Sequence, residues 1–236
     1  MIEMKKSMIL ICLMAAVLLT TTLSASMAYA YPDTIREKTF ITYYGTPLGE
    51  GGTDTYNVYA YSGIHWAAGT VNIAYSINTS GAPSEAYQAI QASFETWDTV
   101  IGDKLFNDNP GTVTRIAGNK FDGKNVISWG RLGKNIIAQT TVWYNTRTQE
   151  IVEFGMVFST AYKWGIDPDG EGGTTLSGKF DVQDIATHEA GHTLMLDDLY
   201  DTAASQLTMY GYGSYGQTYA RSLGTGDITG IKTIYP

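Results

Sequence analysis

Two histidines, His188 and His192, stand four positions apart, with Glu189 directly after the first. On an α-helix, residues i and i+4 lie on one face about one turn apart, so both imidazoles can reach a single metal ion. A carboxylate next to the first ligand is placed to take a proton from water on that metal rather than to bind it. The chemistry open to such a group is metal-assisted hydrolysis, and zinc suits the donor set. The chain has three histidines, two of them here. The third, His65, lies far upstream and reads as structural or exposed. Hydrolytic zinc takes three protein ligands and keeps a position for water, so one more donor is needed. Asp197 and Asp198 follow closely enough for the chain to turn back on the metal, and either carboxylate qualifies.

The elements that must position these residues are legible in outline. Asp181 reads as an N-cap and Asp184 as a first-turn acid, which places both histidines in the middle of a regular helix. Residues 71–78 alternate, with Val71, Ile73, Tyr75 and Ile77 on one face, and are expected as a strand. From Pro83 to Ile101, Ala86, Ile90, Phe94, Trp97 and Ile101 recur at helical spacing and mark a packing helix. Further strands are expected over 125–129, 136–144 and 151–159. The last two are joined by a polar turn and should pair antiparallel. Such a pair near the histidine helix could hold an extended peptide by edge-strand addition, or be a plain structural hairpin. The loop 167–173 clusters Asp167, Asp169 and Glu171 among glycines and is a candidate site for Ca2+, although it lacks EF-hand spacing.

Composition narrows the class. Lys5 and Lys6, an apolar run from Met8 to Leu19 and the sequence Ala28-Tyr29-Ala30 have the layout of a signal peptide cleaved after Ala30. An uncleaved membrane anchor is the alternative. The mature chain is then secreted, extracellular and free of the membrane. Cys12 is the only cysteine, so residues 31–236 hold neither a disulfide nor a thiolate ligand. The net charge of −8 becomes −9 without residues 1–30, which argues against nucleic acid as a partner. Residues 31–68 read as an N-terminal extension, a short propeptide or an edge strand, and 69–236 as the catalytic domain. Oligomeric state is left open.

The stretch from His188 to Asp198 resembles the long motif of the metzincin metallopeptidases, HExxHxxGxxH or HExxHxxGxxD. Leu207-Thr208-Met209-Tyr210 resembles their methionine turn. Gly226-Asp227-Ile228-Thr229-Gly230-Ile231 and the Ile234-Tyr235 that follows are similar to the closing helix of the matrixin branch. The resemblance covers about residues 69–236. It implies an α+β zincin domain: a twisted mixed β-sheet with a packing helix, a zinc-binding active-site helix and a C-terminal helix. It also implies a secreted zinc endopeptidase acting on protein or peptide substrates. In it His188, His192 and Asp198 hold zinc, Glu189 is the general base, and Met209 is a packing floor. Several features depart from the family. Met195 stands where the family has glycine, which implies strain or a different turn and keeps Asp197 open as the ligand. The cysteine switch and the histidines of the second, structural zinc site are missing, and Gly211 and Gly213 flank Tyr212 where a Pro and a Tyr often wall the specificity pocket. A thermolysin-like peptidase with a later third ligand, and a non-catalytic secreted protein that keeps a metal for stability, are the competing readings.

Overall fold

The computed structural model describes residues 32–45, 53–102, 104–115, 118–170 and 176–236. The expected signal peptide therefore lies outside the described residues, as do residues 171–173 of the candidate calcium loop. Residues 31–236 form one compact unit. Among the described residues no helix is long and apolar enough to cross a membrane.

The alternating segments build a mixed sheet. In chain order its strands are β1 (Ile35–Tyr44), β2 (Tyr75–Asn78), β3 (Gly111–Val113), β4 (Asn125–Gly130), β5 (Ile136–Asn145) and β6 (Glu150–Ser159). A short ribbon of β7 (Trp164–Gly165) and β8 (Phe180–Asp181) follows, and β9 (Tyr212–Gly213) returns to the main sheet. The order across that sheet is β3-β2-β4-β6-β5-β1-β9. Pairing is parallel except at β6 with β5 and at β5 with β1. With three helices, α1 (Ala86–Ile101), α2 (Val182–Thr193) and α3 (Thr225–Ile234), the architecture is α+β.

The hairpin forms as expected, with β5 and β6 antiparallel from Ala138↔Phe158 to Asn145↔Glu150. Other boundaries move. The first predicted strand keeps only 75–78: Ile73, Tyr75 and Ile77 are buried while Val71 is exposed. The packing helix begins at Ala86 rather than Pro83, because Pro83 belongs to a preceding turn whose carbonyl accepts from Ala86 N–H. Its aromatic residues are core, as expected: Phe94 stacks on Tyr75 and packs edge-on against Phe106.

The boundary drawn at residue 69 does not separate two bodies. β1 lies in the sheet beside β5, and Asp54 O accepts from Thr225 N–H at the start of α3. Ala60 O accepts from Asp197 N–H, and the Trp66 indole donates to Thr193 O at the end of α2. Backbone groups freed at helix ends need partners, and the upstream segment supplies them.

Helix α2 is fixed at its start and along its flank. Asp181 Oδ1 accepts from Asp184 N–H at 2.8 Å, which is the expected N-cap. The same carboxylate takes two contacts from Arg221, at 2.8 and 2.6 Å. Trp97 of α1 donates to Thr187 O at 2.8 Å, joining the two helices midway. Replacing Asp181 by Ala removes the cap and leaves a half-buried guanidinium unpaired. The expected loss is about 3 kcal/mol in urea unfolding, and Asp181→Asn, which keeps the cap, should lose less.

Candidate metal centre

His188 and His192 project from α2 toward Asp198, and the three offer ligand atoms within reach of one ion. His188 lies mid-helix, whereas His192 is the residue before the last, so only the first is in the expected position. The two Nε2 atoms are 3.0 Å apart. Asp198 Oδ1 is 3.3 Å from His188 Nε2 and 3.4 Å from His192 Nε2. Donors about 2.1 Å from a tetrahedral centre stand about 3.4 Å from one another, so the spacing fits one small cation.

The protonation pattern argues the same way. His188 Nδ1 lies 2.7 Å from Thr208 O, and His192 Nδ1 lies 2.8 Å from Leu196 O. A carbonyl only accepts, so both Nδ1 atoms carry hydrogens, and in their neutral form the rings turn Nε2 lone pairs on each other. Asp198 Oδ1 is buried and has no hydrogen-bond donor. A buried acceptor in that state is costly, and a cation among the three atoms, or in its place a proton on His188, removes the cost. Without a metal, burial works against a charge on His188, yet the Asp198 carboxylate outweighs it and pushes the imidazole up to about 9. Burial also opposes ionisation of Asp198, and the two histidines prevail and hold its carboxyl well below the usual range.

Asp197 points elsewhere: its Oδ1 pairs with Lys38 Nζ at 2.5 Å. His65 contacts Gln149 O, away from the centre. In the loop 167–170, the Arg221 guanidinium donates to Asp167 O and pairs with Asp181, so a cation of the protein's own already serves this end of the suggested calcium loop.

Glu189 is fully buried, and both carboxylate oxygens are held. Thr42 of β1 donates to Oε1 at 2.6 Å, and Thr140 of β5 donates to Oε2 at 2.5 Å. Neither threonine was foreseen from the sequence, because no local pattern links residue 42 or 140 to residue 189.

The turn around Met209 lies under the helix. Gly191, between the two histidines, lets it approach, since a Cβ there would come within 2.3 Å of Met209 Sδ and 2.7 Å of Trp97 Cζ2. Asp227 of α3 holds the turn, accepting from Thr208 N–H at 2.8 Å and Met209 N–H at 3.2 Å. One chain of contacts thus runs from Asp227 through the Thr208 backbone to His188.

Met195 adopts φ 69°, the left-handed conformation that glycine tolerates best. Leu196 N–H reaches Gly191 O and Met195 N–H reaches His192 O, which is the Schellman pattern at a helix end. The chain therefore keeps the sharp glycine-type turn with methionine in it. The same turn presents Leu196 O to His192.

No protein-family model matches the chain, and no curated protein does either.

Glycine at 195 would relieve about 1 kcal/mol of backbone strain. It would also delete a fully buried side chain, worth about 2–4 kcal/mol, and add backbone entropy to the unfolded chain. Burial wins, so Met195→Gly should lower the urea midpoint. Gly191→Ala should lower it further through its clash with Met209 and Trp97.

Proposed function

We propose that this chain is a secreted zinc endopeptidase with a metzincin-like domain. The observation that carries the reading is the convergence of His188 Nε2, His192 Nε2 and the donor-less Asp198 Oδ1 at 3.0–3.4 Å, with Glu189 on the same helix. The mixed sheet, the packing helix α1, the histidine helix α2 and the closing helix α3 agree with the resemblance. The tie from Asp227 to the methionine turn gives its last two motifs a joint physical purpose.

Zinc bound by His188, His192 and Asp198 would supply the Lewis acidity that polarises a scissile carbonyl and makes water nucleophilic at neutral pH. The Thr208 and Leu196 carbonyls fix the imidazoles in the tautomer that leaves Nε2 free to bind. Glu189 accepts the water proton and hands it to the leaving amine, with Thr140 orienting its carboxylate. Met209 packs beneath α2 and needs no chemical role. The substrate is protein or peptide. The amino-terminal 30 residues direct export.

A metal-stabilised binding protein without turnover is the second reading. It is favoured by the engagement of both Glu189 oxygens by threonines.

One measurement tests the ligand set and a second separates the two readings. Asp198→Ala should lose zinc, read as metal per chain, whereas Asp197→Ala, whose partner is Lys38, should keep it. The chain from Tyr31 and its Glu189→Gln variant should each hold one zinc. Only the parent should cleave a denatured protein, with the variant slower by about 10²-fold or more and a chelator stopping the parent. Zinc in both with cleavage in neither would sink the peptidase reading and leave the binding protein.

A further inference from the structure

Each imidazole of the proposed centre is turned by a partner outside it, Thr208 O for His188 and Leu196 O for His192. A carboxylate ligand needs the same service, because the torsion that swings its two oxygens is a broad one. Asp198 Oδ1 lies 3.3 and 3.4 Å from the two Nε2 atoms, and with both rings neutral no donor holds it there. Its orientation has to come from another contact of the same side chain.

Tyr200 stands where that contact is made. Leu199 is buried and tied to the segment around Met209: its N–H donates to Met209 O at 2.8 Å, and its carbonyl accepts from Gly211 N–H at 3.0 Å. Leu199 is thereby bridged to Tyr210 as in a parallel sheet. In extended chain alternate residues share a side, so Asp198 and Tyr200 project together, and both line one cavity with Phe40 and Tyr43.

Gly211 makes room for the pair. A Cβ at this position would fall 2.5 Å from Tyr200 Cε1, 2.9 Å from Tyr200 Cζ and 3.1 Å from Asp198 Oδ1. The ring and the carboxylate thus meet over backbone that carries no side chain. Tyr212 braces the ring edge-on, with centroids 5.6 Å apart and planes at 75°. Partial burial, then the Asp198 charge and a hydrogen bond to it, push the Tyr200 phenol above its usual range, so the hydroxyl keeps a proton to donate.

We propose that Tyr200 is the positioning residue of the third ligand: its hydroxyl donates to the Asp198 carboxylate and keeps Oδ1 aimed at the point between the two histidines. This rests on the ligand set of the zinc reading above and not on turnover. All three ligands then have an outer partner, two of them backbone carbonyls and the third a phenol. Loss of such a partner costs about 10- to 100-fold in metal affinity.

Tyr200→Phe deletes the hydroxyl and keeps the ring, which is 53% exposed, so no core is opened. The chain from Tyr31 would be compared as parent, Tyr200→Phe and Tyr215→Phe, the last losing a hydroxyl from an exposed tyrosine packed on Phe180. Zinc affinity is read by competition with a chromophoric chelator, and coordination by the visible bands of the Co2+-loaded chain. Stability is read as the urea midpoint of the metal-free chain. For Tyr200→Phe the expected result is a zinc Kd raised about tenfold or more and altered Co2+ bands, at an unchanged urea midpoint. Tyr215→Phe should match the parent in all three. Unchanged affinity and bands in Tyr200→Phe, with or without a lower midpoint, overturn the proposal, make Tyr200 a packing residue and leave the ligand set standing. An equal loss of affinity in Tyr215→Phe overturns it too, since the effect is then not specific to Asp198. A parent that binds neither metal overturns the ligand set and this proposal with it. Zinc binding in the expected order without cleavage by the parent upholds Tyr200, and the peptidase reading alone falls.

Discussion

The structure depends on the cost of leaving three polar atoms of one kind together in a dry interior. With both rings neutral, His188 Nε2, His192 Nε2 and Asp198 Oδ1 all present lone pairs to one point once the carbonyls of Thr208 and Leu196 have claimed the Nδ1 hydrogens. Lone pairs 3.0–3.4 Å apart repel in a low-dielectric site, and a shared cation turns the repulsion into attraction. Such a cluster keeps its shape only if its supports are rigid, and much of the chain beyond α2 serves as support. Asp181 and Arg221 fix the start of the helix, Trp97 ties its middle to α1, and Trp66 occupies a carbonyl at its end.

The two histidines are oriented by backbone carbonyls from opposite directions. His192 is served by the turn that leaves its own helix, so the left-handed conformation at Met195 bears on the chemistry as well as on the path of the chain. His188 is served by the turn before Met209, which is itself fastened by Asp227 at the start of α3. Strain at Met195 persists because its side chain is fully buried in the core, where apolar burial outweighs the conformational penalty. A glycine there would ease the backbone and open a hole beneath it.

On the other side of the helix, the sheet comes close enough to touch the proposed base. Thr140 belongs to β5, while Thr42 and Phe40 belong to β1, which reaches both Glu189 and His192.

The sequence alone determined the donors and most of the elements. The four-residue spacing of His188 and His192, the N-cap at Asp181, the antiparallel hairpin and the apolar face of the packing helix all rest on short-range periodicity, which survives into the fold. It could not choose between Asp197 and Asp198. Adjacent residues differ only in which way the chain turns, and the choice came from Lys38, about 160 positions upstream, pairing with Asp197. Nor could it place Thr42 and Thr140 on Glu189, seat residues 32–45 and 53–68 within the domain, or lay β1 along β5. Those contacts join residues far apart in sequence, and strand order and register arise from packing over the whole sheet rather than from any local pattern.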